Sequence, residues 1–189
     1  MSPINFSAAR SILLASSLFL ALPWCLADEV RSVARVDLQR YVGNWFEVAR
    51  FPNWFQGTCV GDVTANYEVL DDGTVKVTNR CRESQGRVNI AEGIAVPVSG
   101  DTTGARLKVN FLPGWLRWVP WGGGDYWVVM LDDDYRWAVV SEPSREYLWV
   151  LSRTPKLDLA GYERIVNQLR SDGYDVDKLL PTLQTASTP

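Results

Sequence analysis

From Tyr41 onward the chain alternates apolar and polar side chains in short runs separated by turn residues. Residues 63–69 alternate cleanly, Asp71-Asp72-Gly73 supplies a hairpin turn, and 74–79 continue on its far side. The same period runs through 45–51, 88–98, 105–112, 125–131, 135–141 and 146–153, giving eight strands joined mostly by short polar or Gly-containing turns. Strands in succession with no helix between them predict an antiparallel sandwich or an up-and-down barrel. One amphipathic helix is expected late, over about 156–172, where Leu157, Leu159, Ile165, Val166 and Leu169 form a stripe and Gly173 ends it. An extended segment, 174–180, is expected to pack back on the sheet, with 182–189 a flexible tail.

The first 27 residues follow a different pattern. Arg10 provides a positive start, residues 12–22 are uncharged and strongly apolar, and Cys25 and Ala27 are small residues suited to a cleavage site after Ala27. This predicts a secretory signal peptide, since the apolar run is too short for a spanning helix. A lipid anchor at Cys25 is the rival, but Trp24 is bulky where the residues before a lipidated cysteine are normally small. Export to the periplasm or outer membrane is therefore expected. Cleavage leaves a single barrel domain, 28–181, with Cys59 and Cys81 alone. In an oxidising compartment those two are expected to form a disulfide, with two free thiols as the alternative.

Composition narrows the chemistry. The 189 residues include no histidine, which removes the commonest general base and the commonest metal ligand. With 19 basic against 22 acidic residues there is no footprint for nucleic acid. Neither a cofactor nor a metal is expected; Asp132-Asp133-Asp134 reads as a solvated turn rather than a calcium site.

Three motifs in register carry a family resemblance. Gly43-Asn44-Trp45 opens the first strand, Leu131-Asp132-Asp133-Asp134-Tyr135 lies between the sixth and seventh, and Leu151-Ser152-Arg153-Thr154-Pro155 ends the eighth ahead of the helix. This arrangement resembles the lipocalins, and the flanking residues 45–51 and 142–155 resemble the bacterial lipocalins related to apolipoprotein D. The resemblance selects an eight-stranded up-and-down antiparallel β-barrel with one C-terminal α-helix packed on it. It implies that Trp45 plugs one end with the Arg153 guanidinium over its ring, a contact of about 0.5–2 kcal/mol, and that Gly43 permits a close approach.

An eight-stranded barrel can hold one small ligand. Alternation sends Val63, Ala65, Tyr67 and Val69, then Val75 and Val77, to the interior. The fourth strand has a choice of parity: Ala91, Gly93 and Ala95 inward leaves a hollow, and the opposite register fills it. The fifth gives Leu107, Val109 and Phe111. The family register gives Tyr126, Val128 and Met130 from the sixth strand, then Ala138 and Val140 from the seventh, and Tyr147 and Trp149 from the eighth. Such a lining suits a small apolar or amphiphilic lipid; a closed, filled core is the duller reading.

Strand connectivity places the loop with Trp54 and Phe55 at the same end as the loop with Trp115, Leu116, Trp118 and Trp121. Aromatics at this density predict a mouth that docks on a membrane surface, a lid over the pocket, or a subunit contact. The favoured function is an exported carrier of fatty acids, lysophospholipids or similar amphiphiles. A membrane-surface or cell-envelope interaction module with an incidental cavity is the alternative. A lipocalin-fold enzyme is a third reading, with Glu47 as its candidate acid or base.

Overall fold

The computed structural model describes residues 29–116 and 123–185. The expected signal peptide, Cys25, Trp118, Trp121 and residues 186–189 lie outside the described residues. A one-turn helix α1 (Leu38–Tyr41) leads into β1 (Gly43–Arg50), β2 (Cys59–Val69), β3 (Val75–Glu83), β4 (Val88–Pro97), β5 (Arg106–Asn110), β6 (Gly123–Leu131), β7 (Trp137–Ser141) and β8 (Leu148–Ser152). Helix α2 (Leu159–Ser171) and a two-residue strand β9 (Leu180–Pro181) follow.

Every neighbouring pair is antiparallel, and β1 joins both β8 and β2, closing an eight-stranded barrel. Each strand falls within a few residues of the position predicted from alternation. Closure removes free edges, which is how short alternating strands avoid edge-to-edge association.

The barrel separates two apolar layers. Val36, Tyr41, Trp45, Ala65, Tyr67, Val75, Val77, Ala95, Leu107, Val128, Ala138, Val140 and Leu151 form the interior cluster. Outside the wall, Ala49, Trp137, Val139, Leu148 and Val150 meet Ile165 and Leu169 of α2. Asp158, rather than a residue nearer Pro155, starts that helix: its backbone is extended and its carboxylate accepts the Gly161 N–H. Leu159 thereby falls in the first turn facing water, 71% exposed, and leaves the expected stripe.

Met130 is a correction. Val128 pairs with Val140 facing in, but the register slips before Met130, which pairs with Val139 and packs in the outer layer. One extra residue in β6 exchanges the two faces, so Leu131, opposite Ala138, takes the interior place.

The stretch after α2 is also more structured than expected. A 3-10 turn at Val176–Lys178 interrupts it, and Thr182–Thr185 is bonded into the barrel rather than loose. Direct β1–β2 pairing stops at Phe46 and Thr64. Beyond that point the two strands part, and 180–185 lies between them. Thr182 N–H donates to the Val48 carbonyl, and the Leu183 carbonyl accepts the Asp62 N–H. The Gln184 amide donates to the carbonyls of both Glu47 and Val63, bridging the seam.

Candidate functional site: the barrel interior and its two ends

At one end the chain makes a plug. Trp45 is fully buried and donates its indole N–H to the Tyr41 carbonyl at 2.8 Å. The Arg153 guanidinium carbon stands 3.9 Å from the Trp45 ring centroid, while its N–H groups donate to the carbonyls of Asn44, Arg40 and Tyr41. Gly43, at φ 93°, occupies left-handed backbone, and a Cβ there would come to 3.5 Å of the guanidinium. The Asp132 carboxylate is committed to the turn before β7, accepting from Arg136 and from the Asp134 N–H.

Above the plug three phenols meet. Tyr41 and Tyr126 share a hydrogen bond of 2.9 Å, and the Tyr126 hydroxyl donates to Tyr67 at 2.9 Å. Burial pushes the Tyr67 phenol up to about 12 and raises Tyr41 and Tyr126 as well, so all three are neutral donors near neutral pH.

The walls bring together most of the expected lining. Ala65, Tyr67, Val77, Ala95, Leu107, Val109, Tyr126, Val128, Ala138, Val140 and Trp149 belong to one contiguous interior cluster or pack on it, and Val63 is buried as well. The parity of β4 is settled by its register. Val75 faces Ala95, Val77 faces Gly93 and Asn79 faces Ala91, so Ala91, Gly93 and Ala95 point inward while Val88 and Ile90 are exposed outside. Ala91 is itself solvent-exposed, near the open end. Gly93 makes room for Phe111, whose ring carbon would lie 2.8 Å from a Cβ at that position.

The opposite end carries the aromatics. Tyr147 stacks on Trp149 at 6.2 Å and 16°, Phe55 lies against both, and Trp54 meets Phe55 edge-on. Trp149 and Tyr147 thus belong to the rim more than to the depth of the barrel. Trp54 is 83% and Trp115 74% exposed, with Leu116 half-buried beside Trp115. The Cys59–Cys81 disulfide joins the mouth ends of β2 and β3, with Cα atoms 5.6 Å apart.

Glu47 is only 2% exposed, and its carboxylate accepts from Arg50, Gln56 and Thr182. A carboxylate held by three donors, one of them cationic, is occupied in holding the seam and rim together.

A lipocalin-like domain family matches residues 36–184. The chain belongs to the lipocalin family. It is 38% identical over 162 residues to temperature-induced lipocalin-1 of Arabidopsis thaliana, covering 85% of this chain and 86% of that one. Outer membrane lipoprotein Blc of Escherichia coli is 37% identical over 159 residues, covering 84% and 85%. Apolipoprotein D of Macaca fascicularis is 33% identical over 155 residues, covering 78% and 77%. Among solved structures, insecticyanin from the tobacco hornworm superposes with a TM-score of 0.67 at 21% identity, covering 84% and 86%.

Within this lipocalin barrel, two groups of polar residues were not legible from alternation. The phenol trio draws on α1, β2 and β6; Tyr67 and Tyr126 follow from period two, but nothing in the sequence places Tyr41 above Trp45. The Arg50, Gln56 and Thr182 side chains gather on Glu47 from three separate segments, and the only sequence signal was the apolar context of Glu47 itself.

Proposed function

We propose that this lipocalin is an exported carrier that binds fatty acids, lysophospholipids or similar amphiphiles inside the barrel, for lipid transport or storage in the cell envelope. The observation that carries this reading is the continuous apolar interior, plugged at the Trp45 end and rimmed with aromatics at the other. Binding is driven by apolar area leaving water, at roughly 25 cal/mol per Å², less the cost of association. Nothing in that process needs a titrating group, and the buried carboxylate of β1, Glu47, is already bonded three ways. The names of the Blc relatives, outer membrane lipoproteins, agree with an envelope location.

A second reading is favoured by one specific observation, the exposure of Trp54 and Trp115 at the mouth. In it the mouth rests on a membrane surface while lipid is exchanged.

The deciding experiment extracts the purified protein with organic solvent and weighs the extract by mass spectrometry, alongside displacement of a fluorescent fatty acid. Co-purifying lipid with saturable displacement is expected. Repeated absence of both would leave an interaction module with an incidental interior.

A further inference from the structure

The phenol trio has a surplus donor. Three hydroxyl protons serve two hydrogen bonds, Tyr41 to Tyr126 and Tyr126 to Tyr67. Because Tyr126 spends its proton on Tyr67, Tyr41 supplies the other bond, and the Tyr67 proton is left over. Among the described residues no acceptor meets it. Tyr67 is 7% exposed, at the foot of the barrel opposite Val77, in a cluster with Ala65, Ala95 and Ala138. Buried donors are rarely left unmade, so this one points to something the protein itself does not supply.

We infer that the Tyr67 hydroxyl is a deep-end subsite that donates to an uncharged oxygen, a hydroxyl or ketone, carried near the buried end of an acyl ligand. This deepens the carrier reading and rests on it. The charges nearby argue against an anion in the same place. Arg50 is committed to the Glu47 carboxylate at 2.7 Å, and the Arg153 guanidinium sits behind the Trp45 ring. A carboxylate beside Tyr67 would therefore be buried with neither of those cations in contact, whereas a neutral acceptor loses only its bond to water and regains it from Tyr67. The two bonds behind Tyr67 also polarise its hydroxyl, since each donor in a chain strengthens the next.

The test uses delipidated full-length protein and paired ligands, the straight-chain acids from decanoic to hexadecanoic and their ω-hydroxy counterparts. Displacement of a fluorescent fatty acid gives each affinity, and the readout is the affinity ratio of hydroxylated to plain acid at each length. At the length that reaches the floor, Tyr67→Phe is expected to lower that ratio about tenfold. Tyr41→Phe, which keeps the Tyr126 to Tyr67 bond, is expected to leave it within about twofold. Should Tyr67→Phe not fold, Tyr126→Phe replaces it; freeing the Tyr67 hydroxyl to turn is expected to cost about threefold in the ratio. A ratio unchanged at every length while both acids bind overturns the subsite and spares the carrier. Failure of every acid to bind the unaltered protein overturns both.

Discussion

Arg153 holds its guanidinium over the Trp45 ring at 3.9 Å and, in the same pose, caps three carbonyls of the incoming chain. One side chain therefore ties the end of β8 to the start of β1 and closes the foot of the barrel. Replacing it with Ala removes the ring contact and takes a donor away from each of those carbonyls. A loss of about 2–3 kcal/mol in chemical unfolding is expected. Lys restores less than half of it, since an ammonium cannot span the same three acceptors. A loss below about 0.5 kcal/mol would mean the plug does not depend on this residue.

The Cys59–Cys81 bridge links positions 22 apart in sequence, at the mouth ends of adjacent strands. Its removal by a double Cys→Ser replacement is expected to lower unfolding stability by about 3 kcal/mol in the loop-entropy picture. Equal stability of the two forms would show that strand pairing alone holds the rim.

Acid should loosen the seam. Burial raises the Asp62 carboxyl, but the Thr185 N–H and hydroxyl and the Arg82 guanidinium outweigh it and hold its pKa at about 2 instead of 3.8. A depressed carboxyl contributes stability that is whole above about pH 4 and fades as pH falls through about 2. The protection factors of the Thr185 and Asp62 amides, each referred to intrinsic exchange at the same pH, are expected to fall over that window before the rest of the barrel opens. In Asp62→Asn those protection factors should be low and independent of pH.

The slip in β6 makes opposite predictions for neighbouring positions. Met130→Ala, at the interface with α2, is expected to cost about 2 kcal/mol and leave fatty-acid displacement unchanged. Ala138→Leu, inside the wall, is expected to weaken displacement at least severalfold by filling the interior. Reversed outcomes would return Met130 to the lining.

The proposed docking on a membrane rests on the exposed rim residues. Trp54→Ser with Trp115→Ser is expected to reduce co-sedimentation with anionic liposomes and to leave ligand affinity in solution intact. Undiminished sedimentation would remove the docking reading and keep the carrier.

The strands were legible because alternation is a local property: Val63 to Val69 or Leu107 to Val109 states its own inward face. Parity failed only where geometry adds a residue, as between Val128 and Met130, because an inserted position has no signature in an apolar run such as Val128-Val129-Met130-Leu131. Leu159 misled for a related reason, since the cap at Asp158 sets the phase of the first turn. The Thr182–Thr185 segment reads as loose by composition, and its order comes from carbonyls that β1 and β2 expose only after they diverge. Such pairings belong to the assembled barrel and leave no local trace.

That seam also constrains the order of assembly. Strands β2 to β8 each join their neighbour in sequence, so seven consecutive strands can zip as hairpins while the chain is still emerging. The bridge from Gln184 to Glu47 spans 137 residues and needs both ends present at once. Loop closure on that scale is slow, which makes sealing the β1–β2 gap a late step in folding. Until Gln184 arrives, the wall between β1 and β2 stands open near the mouth, so the barrel is complete only once its last residues have docked.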